Sequence, residues 1–152
     1  MEINPWYVTG LVDGEGSFLV SFSIRKKLTV GVEARPSFTI SQHRRNRLVL
    51  DEVQRFFHCG GIRYNKSDQT YKYEVRSLDD LVRTIIPHFE QYPLRTTKQG
   101  DYRTFRDICR SMKSNLHLSM NGIKFIIEQA YTMNNLGARR YEKQNLLMVV
   151  GR

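Results

Sequence analysis

Three closely spaced glycines, Gly10, Gly14 and Gly16, constrain this chain most, because they fall where an apolar helical segment must turn into a strand. Residues 8–18 read Val-Thr-Gly-Leu-Val-Asp-Gly-Glu-Gly-Ser-Phe. Upstream, Asn4 can cap free amides and Pro5 fits the first helical position, so residues 6–13 predict a helix that Gly14 and Gly16 end. From Ser17 the period becomes two, with Phe18, Val20, Phe22 and Ile24 on one face and Ser17, Leu19, Ser21, Ser23 and Arg25 on the other. Gly10 and Gly14 lie one helical turn apart and leave a bare strip that a second helix can approach closely. A glycine at a helix end can equally serve as a cap.

Two carboxylates flank Gly14. Glu15 is expected just past the last turn, where unsatisfied carbonyls and the negative end of the helix dipole favour a cation. With the Gly14 carbonyl it makes a hard-oxygen site of the kind magnesium accepts. Asp13, one position earlier, competes for the same role or folds back onto backbone amides. An acidic pair in a turn is also compatible with simple solvation.

Alternation returns at residues 33–42, with Glu33, Arg35, Ser37, Thr39 and Ser41 facing one way and Ala34, Pro36, Phe38 and Ile40 the other. Residues 46–58 place Leu48, Val49, Val53, Phe56 and Phe57 at helical spacing, and Gly60-Gly61 stops the helix. Residues 62–65 and 71–76 predict a hairpin about Ser67-Asp68, with Tyr71, Tyr73 and Val75 inward and Lys72, Glu74 and Arg76 outward. Helices follow at 78–89, 98–112 and 119–135, and from Arg139 the pattern suits a tail or a short terminal helix. The order α-β-β-α-β-β-α-α-α is that of an α+β domain rather than a βαβ repeat. One domain over residues 1–152 is expected, with 139–152 as its C-terminal tail.

The formal charge is +9, from 24 Lys and Arg against 15 Asp and Glu, which makes a polyanion the natural electrostatic partner. No apolar run approaches the ~20 residues that span a membrane, and no secretory signal opens the chain, so a soluble intracellular protein is expected. Cys59 and Cys109 show neither a disulfide framework nor zinc spacing and are expected to be reduced and semi-buried. His43, His58, His88 and His117 are scattered, and none is assigned to catalysis.

The outward sheet face would carry Ser21, Ser23, Arg25, Glu33, Arg35, Ser37, Thr39, Ser41, Arg63, Asn65, Lys72, Glu74 and Arg76. This mixture of donors and acceptors suits base edges in the major groove, although any half-exposed sheet turns polar residues outward. A ~10-residue strand spans about 33 Å, close to one turn of duplex. Lys26, Lys27, Arg44, Arg45, Arg139 and Arg140 are assigned to the phosphate backbone.

Val8-Thr9-Gly10-Leu11-Val12-Asp13-Gly14-Glu15-Gly16 resembles the motif that names the LAGLIDADG family. The resemblance extends through Ser17-Phe18, Phe38-Thr39-Ile40-Ser41-Gln42, residues 48–57 and the segment from Pro93 to Lys98-Gln99, or roughly residues 5–135. It is to the single-motif homing endonucleases, which implies an αββαββα-type domain with a saddle-shaped antiparallel DNA-binding sheet. It further implies a homodimer joined at Gly10 and Gly14, a metal-dependent double-strand cut in a long near-palindromic DNA target, and promotion of intron mobility. By that resemblance Glu15 binds the metal with the Gly14 carbonyl, Gln42 positions water, and Lys98 acts around the scissile phosphate. The family arginine falls in gap-free register on Asn46, between Arg45 and Arg47, and is assigned to Arg47. Magnesium is the implied ion, with manganese able to substitute and calcium supporting binding without cleavage, and no small-molecule cofactor or membrane is expected. The alternative on this scaffold is a non-catalytic binder, either an RNA maturase or a DNA-binding regulator. Relatives of this kind occur in chloroplast, mitochondrial and microbial introns, which leaves the compartment open.

Overall fold

The chain passes from its first helix into its first strand without a loop. In the computed structural model, which describes residues 2–133 and 139–152, α1 spans Pro5–Glu15 and β1 spans Gly16–Ile24. The Asn4 side chain accepts from the Trp6 amide at 2.8 Å, and Pro5 occupies the first turn, as expected. The helix runs two residues beyond the expected end, so Gly14 lies inside it and Glu15 is its last residue. The turn occurs at Gly16, where a Cβ would meet Val12 Cγ1 at 2.7 Å. Only glycine lets the backbone leave the helix that close to its own last turn.

A four-stranded antiparallel sheet follows, with strand order β1-β2-β4-β3. β2 spans Val32–His43, β3 Gly61–Asn65 and β4 Thr70–Val75. The register pairs Phe38 with Val75, Ile40 with Tyr73 and Ile62 with Tyr73, which gathers apolar residues on one face. The β3–β4 turn is closed by the Asn65 amide oxygen, which accepts from Ser67, and the Asp68 carboxylate, which accepts from Thr70. Tyr73 and Val75 are buried as expected, whereas Tyr71 is only half-buried.

Helix α2 spans Arg47–Phe57, and His58 ends it in the left-handed conformation. Its inward residues are Leu50, Val53 and Phe57, while Leu48, expected inside, is 75% exposed. In the run Leu48-Val49-Leu50 the outer leucines are 200° apart around a helix, so only one can face a core. Next come α3 (Leu78–Asp80), a π-helical segment (Leu81–Ile85) and α4 (Ile86–Gln91), in unbroken succession. Helix α5 spans Lys98–Lys113, α6 Met120–Ala130 and α7 Lys143–Val149. The expected helix at 119–135 therefore stops at Ala130, with residues 134 and 135 outside the described residues. The C-terminal segment is the short helix of the two alternatives, and it buries Leu146.

The chain forms two compact units, one from Met1–Phe18 with Ser37–Gln99 and the other from Leu19–Pro36 with Gly100–Arg152. In the first, Phe18, Phe38 and Phe89 meet with ring centroids 5.3–5.6 Å apart, and Phe57 and Tyr73 join Phe38 edge-on. Such edge contacts add to the burial of large apolar area. In the second, Phe22, Tyr102, Phe105, Ile108, Ile123 and Ile127 are buried. Both cysteines are free, Cys109 buried and Cys59 half-buried. No helix of the described residues is long and apolar enough to cross a membrane.

Leu50→Ala should cost about 2–5 kcal/mol of stability, whereas Leu48→Ala should stay within about 0.5 kcal/mol. Urea unfolding of the two variants checks this, and equal losses would contradict the inward face of α2.

Candidate active site

Helix α1 is fastened on one side and bare on the other. Val8, Thr9 and Val12 are buried. The Thr9 hydroxyl donates to the Tyr92 carbonyl at 2.8 Å, so it accepts from Nε2 of buried His88 at 3.0 Å. Burial pushes the His88 pKa down to about 4, leaving a neutral ring that carries its proton on Nε2. On the opposite side, Gly10 and Gly14 are exposed, and a Cβ on either would meet nothing within 4 Å. The two glycines therefore form the open strip anticipated for close helix approach.

The C-terminal end of α1 is tied to a segment more than eighty residues away. The Asp13 carboxylate accepts from the Arg95 amide at 2.8 Å, the Thr96 amide at 3.2 Å and the Thr96 hydroxyl at 2.7 Å. Burial opposes its ionisation, but these donors and the Lys98 charge outweigh it and hold the carboxyl below its ordinary range. Lys98 Nζ donates to the Val12 carbonyl at 2.8 Å and the Asp13 carbonyl at 3.0 Å. A cation thus meets carbonyls of the last turn, where the helix dipole favours positive charge. Asp13 is engaged as a cap, and Glu15 stands exposed at the last helical position rather than beyond it.

The Glu15 carboxylate and Gly14 carbonyl are oxygen donors that fit a hard divalent cation. Among the described residues no group of three or more His, Cys, Asp and Glu could hold a metal. A cation at Glu15 would take its remaining oxygens from water, phosphate or a second chain.

Gln42 lines a groove of about 640 Å³ together with Tyr7 and Leu11 of α1 and with Arg45, Asn46 and Leu48. Its amide oxygen accepts from Asn46 at 3.4 Å. Arg47 is exposed, lies 4.6 Å over the Tyr71 ring and pairs with Asp51 at 3.6 Å. Lys98 is thus joined directly to the end of α1 that carries Glu15, whereas Gln42 is held by nearby Asn46 and Arg47 by Asp51 and Tyr71.

On the sheet, Arg25 and Arg35 both pair with Glu33, at 3.1 and 2.9 Å. Arg63 and Arg76 both pair with Glu74, at 3.2 and 3.7 Å. The two glutamates, expected among the base-reading groups, serve as pivots for arginines. Ser37 and Thr39, expected on the polar face, are only 8% and 6% exposed on the inner strand β2. Ser21, Arg35, Arg63 and Asn65 are exposed, Ser23, Ser41, Lys72 and Glu74 half-buried, and Lys26 and Lys27 exposed in the β1–β2 turn. Thr96 and Tyr71 were not anticipated, since their partners Asp13 and Arg47 are remote in sequence and no local pattern marks them.

The neutral state of His88 sets a pH dependence. A base whose folded pKa is depressed contributes stability above its unfolded pKa and loses it as protons bind, so stability should fall between pH 6.5 and about 4. Melting temperature against pH should show this slope in the wild type and a reduced one in His88→Gln. An unchanged slope would show that His88 is not the titrating group.

The LAGLIDADG endonuclease family model matches residues 8–109. A probable intron-encoded endonuclease of Neurospora crassa is 33% identical over 133 residues, which is 87% of this chain and 29% of that protein. The first curated relatives are much longer, and the chain spans between 25% and 52% of their length. Among solved structures, the homing endonuclease I-TnaI superposes with a TM-score of 0.85 at 34% identity, covering 98% of this chain and 97% of its own. I-SmaMI bound to uncleaved DNA with calcium ions gives 0.88 at 30% identity, covering 95% of this chain and 48% of that one. With the motif helix, the sheet and the following helices all inside these matches, the chain belongs to the LAGLIDADG endonuclease family.

Proposed function

We propose that this chain is a site-specific homing endonuclease that makes a metal-dependent double-strand cut in a long, near-palindromic DNA target and so promotes the mobility of an intron. It acts as one endonuclease domain over residues 1–152 and works as a homodimer joined along the Gly10 and Gly14 strip of α1. The observation that carries the reading is Glu15, exposed at the end of a helix whose last turn is held by Lys98 and whose glycine strip is bare.

Glu15 and the Gly14 carbonyl would hold the cation, magnesium by preference, with manganese as a substitute. When bound, such an ion balances charge on the attacked phosphate and makes water a better nucleophile. Lys98 keeps the end of α1 in place and puts positive charge beside it. Gln42, in the groove wall beside α1, orients a water molecule, and Arg47 meets phosphate. One Glu15 per chain serves one strand, so two chains related by a two-fold axis cut both and favour a near-palindrome. The arginines pivoted on Glu33 and Glu74 face base edges, while Lys26, Lys27, Arg44 and Arg45 contact phosphates.

Glu15→Gln should abolish cutting while retaining specific binding, and calcium should support binding by the wild type without cleavage. Cleavage at near wild-type rate by Glu15→Gln would show that the metal site is elsewhere. Sedimentation with target DNA should give a dimer, which Gly10→Leu should lose together with activity. Because the I-SmaMI chain is about twice the matched length, a second motif-bearing domain is the competing occupant of the strip. A wild-type chain that binds half-sites only as a monomer would favour that arrangement.

A further inference from the structure

Arg139 is held by backbone carbonyls and an aromatic ring rather than by a carboxylate. The residue is half-buried, and its guanidinium donates to the Val20 carbonyl at 2.8 Å and to the Ala130 carbonyl at 2.7 Å. It lies 4.4 Å over the Tyr131 ring, which stacks on Phe22 with centroids 6.1 Å apart. The Tyr131 hydroxyl donates to the Tyr141 carbonyl at 2.6 Å.

The Val20 carbonyl is on the open edge of the sheet. β1 is an outermost strand, and the Arg25 amide bonds the Gly31 carbonyl at 2.9 Å. In an antiparallel pair the backbone groups of alternate residues face the partner, so those of Arg25, Ser23 and Ser21 face β2 and those of Val20 face away. An open edge of this kind lacks a neighbour to hold its position. Arg139 supplies one, because its planar fork spans a carbonyl of β1 and a carbonyl of the last turn of α6 at once. The next residue of β1, Ser21, lies on the polar face with its hydroxyl 3.4 Å from the Arg35 carbonyl.

We infer that Arg139 is a positioning residue for sequence reading, which holds the edge strand β1 so that Ser21, Ser23 and Arg35 meet the bases in register, and that it is not a phosphate contact. This rests on the sheet being the DNA-reading surface. A lysine keeps the charge but lacks the fork, so Arg139→Lys separates the two roles.

The test profiles binding of the full chain to a library of singly substituted targets, at several salt concentrations. Arg139→Lys should relax preference by about fivefold or more at the base positions that Ser21→Ala, Ser23→Ala and Arg35→Ala also affect, since a base contact contributes at least that much. Positions affected by Arg63→Ala should keep their preference, and the salt slope should not change. Tyr131→Phe keeps the ring under Arg139 and loses only the bond to Tyr141, so it should relax the same positions more weakly. If Arg139→Lys does not fold, Tyr131→Phe decides the matter.

Uniformly weaker binding with an intact profile would assign Arg139 a merely structural role and overturn the inference. So would an intact profile in Arg139→Lys together with an Arg139→Gln variant whose salt slope falls by about one unit, the signature of a lost phosphate contact. A wild type with no sequence preference would overturn the DNA-reading surface itself, whereas wild-type preference with unaltered variants overturns this inference alone.

Discussion

The exit from α1 is the constraint on which the rest depends. The chain turns from helix to strand within one residue, and the room for that turn exists because Gly16 has no Cβ to strike Val12. The turn sets Glu15 at the end of the helix and Phe18 in the core within three residues of each other. A loop at this point would uncouple the exposed carboxylate from the sheet. Asp13 and Lys98 then fasten the exit from outside, the first by accepting from Arg95 and Thr96, the second by donating to the carbonyls of Val12 and Asp13. Opposite charges are exchanged across one helix end, and each is satisfied by backbone groups there.

Burial on one side of α1 defines what is available on the other. Thr9 and His88 form a hydrogen-bonded pair in an apolar setting, where a charged imidazole would be costly and a neutral one is satisfied by the hydroxyl. That attachment fixes the rotation of the helix about its axis. Gly10 and Gly14 consequently face outward, and the groove lined by Tyr7, Leu11 and Gln42 lies along the same helix.

The polar face of the sheet is organised by two carboxylates shared among four arginines. Exposed ion pairs of this sort contribute little to stability. Their consequence is geometric, since Glu33 and Glu74 restrict the conformers of Arg25, Arg35, Arg63 and Arg76. Any ligand that met these arginines would cost less rotamer freedom. Each glutamate pairs with one arginine two residues along the chain, Arg35 or Arg76, and with one from the neighbouring hairpin arm, Arg25 or Arg63, and only the second kind of pairing depends on strands meeting.

Local rules made much of the architecture legible. Asn4 and Pro5 begin α1, alternation marks β1 and β2, and the α+β order follows from the sequence of those patterns, although α2 ends at His58 rather than at Gly60-Gly61. Glu15 is identifiable from its motif, and its place at the helix end depends on neighbours within a few residues. What the tertiary structure decided is where contacts cross the chain. It selected Leu50 over Leu48 as the inward leucine of α2, gave Asp13 its donors at Arg95 and Thr96, set Lys98 on α1, buried Ser37 and Thr39, and turned Arg139 toward Val20 and Ala130. Helical and strand periods report which residues share a face, because that depends on backbone geometry alone; which donor meets which acceptor depends on segments brought together only by folding.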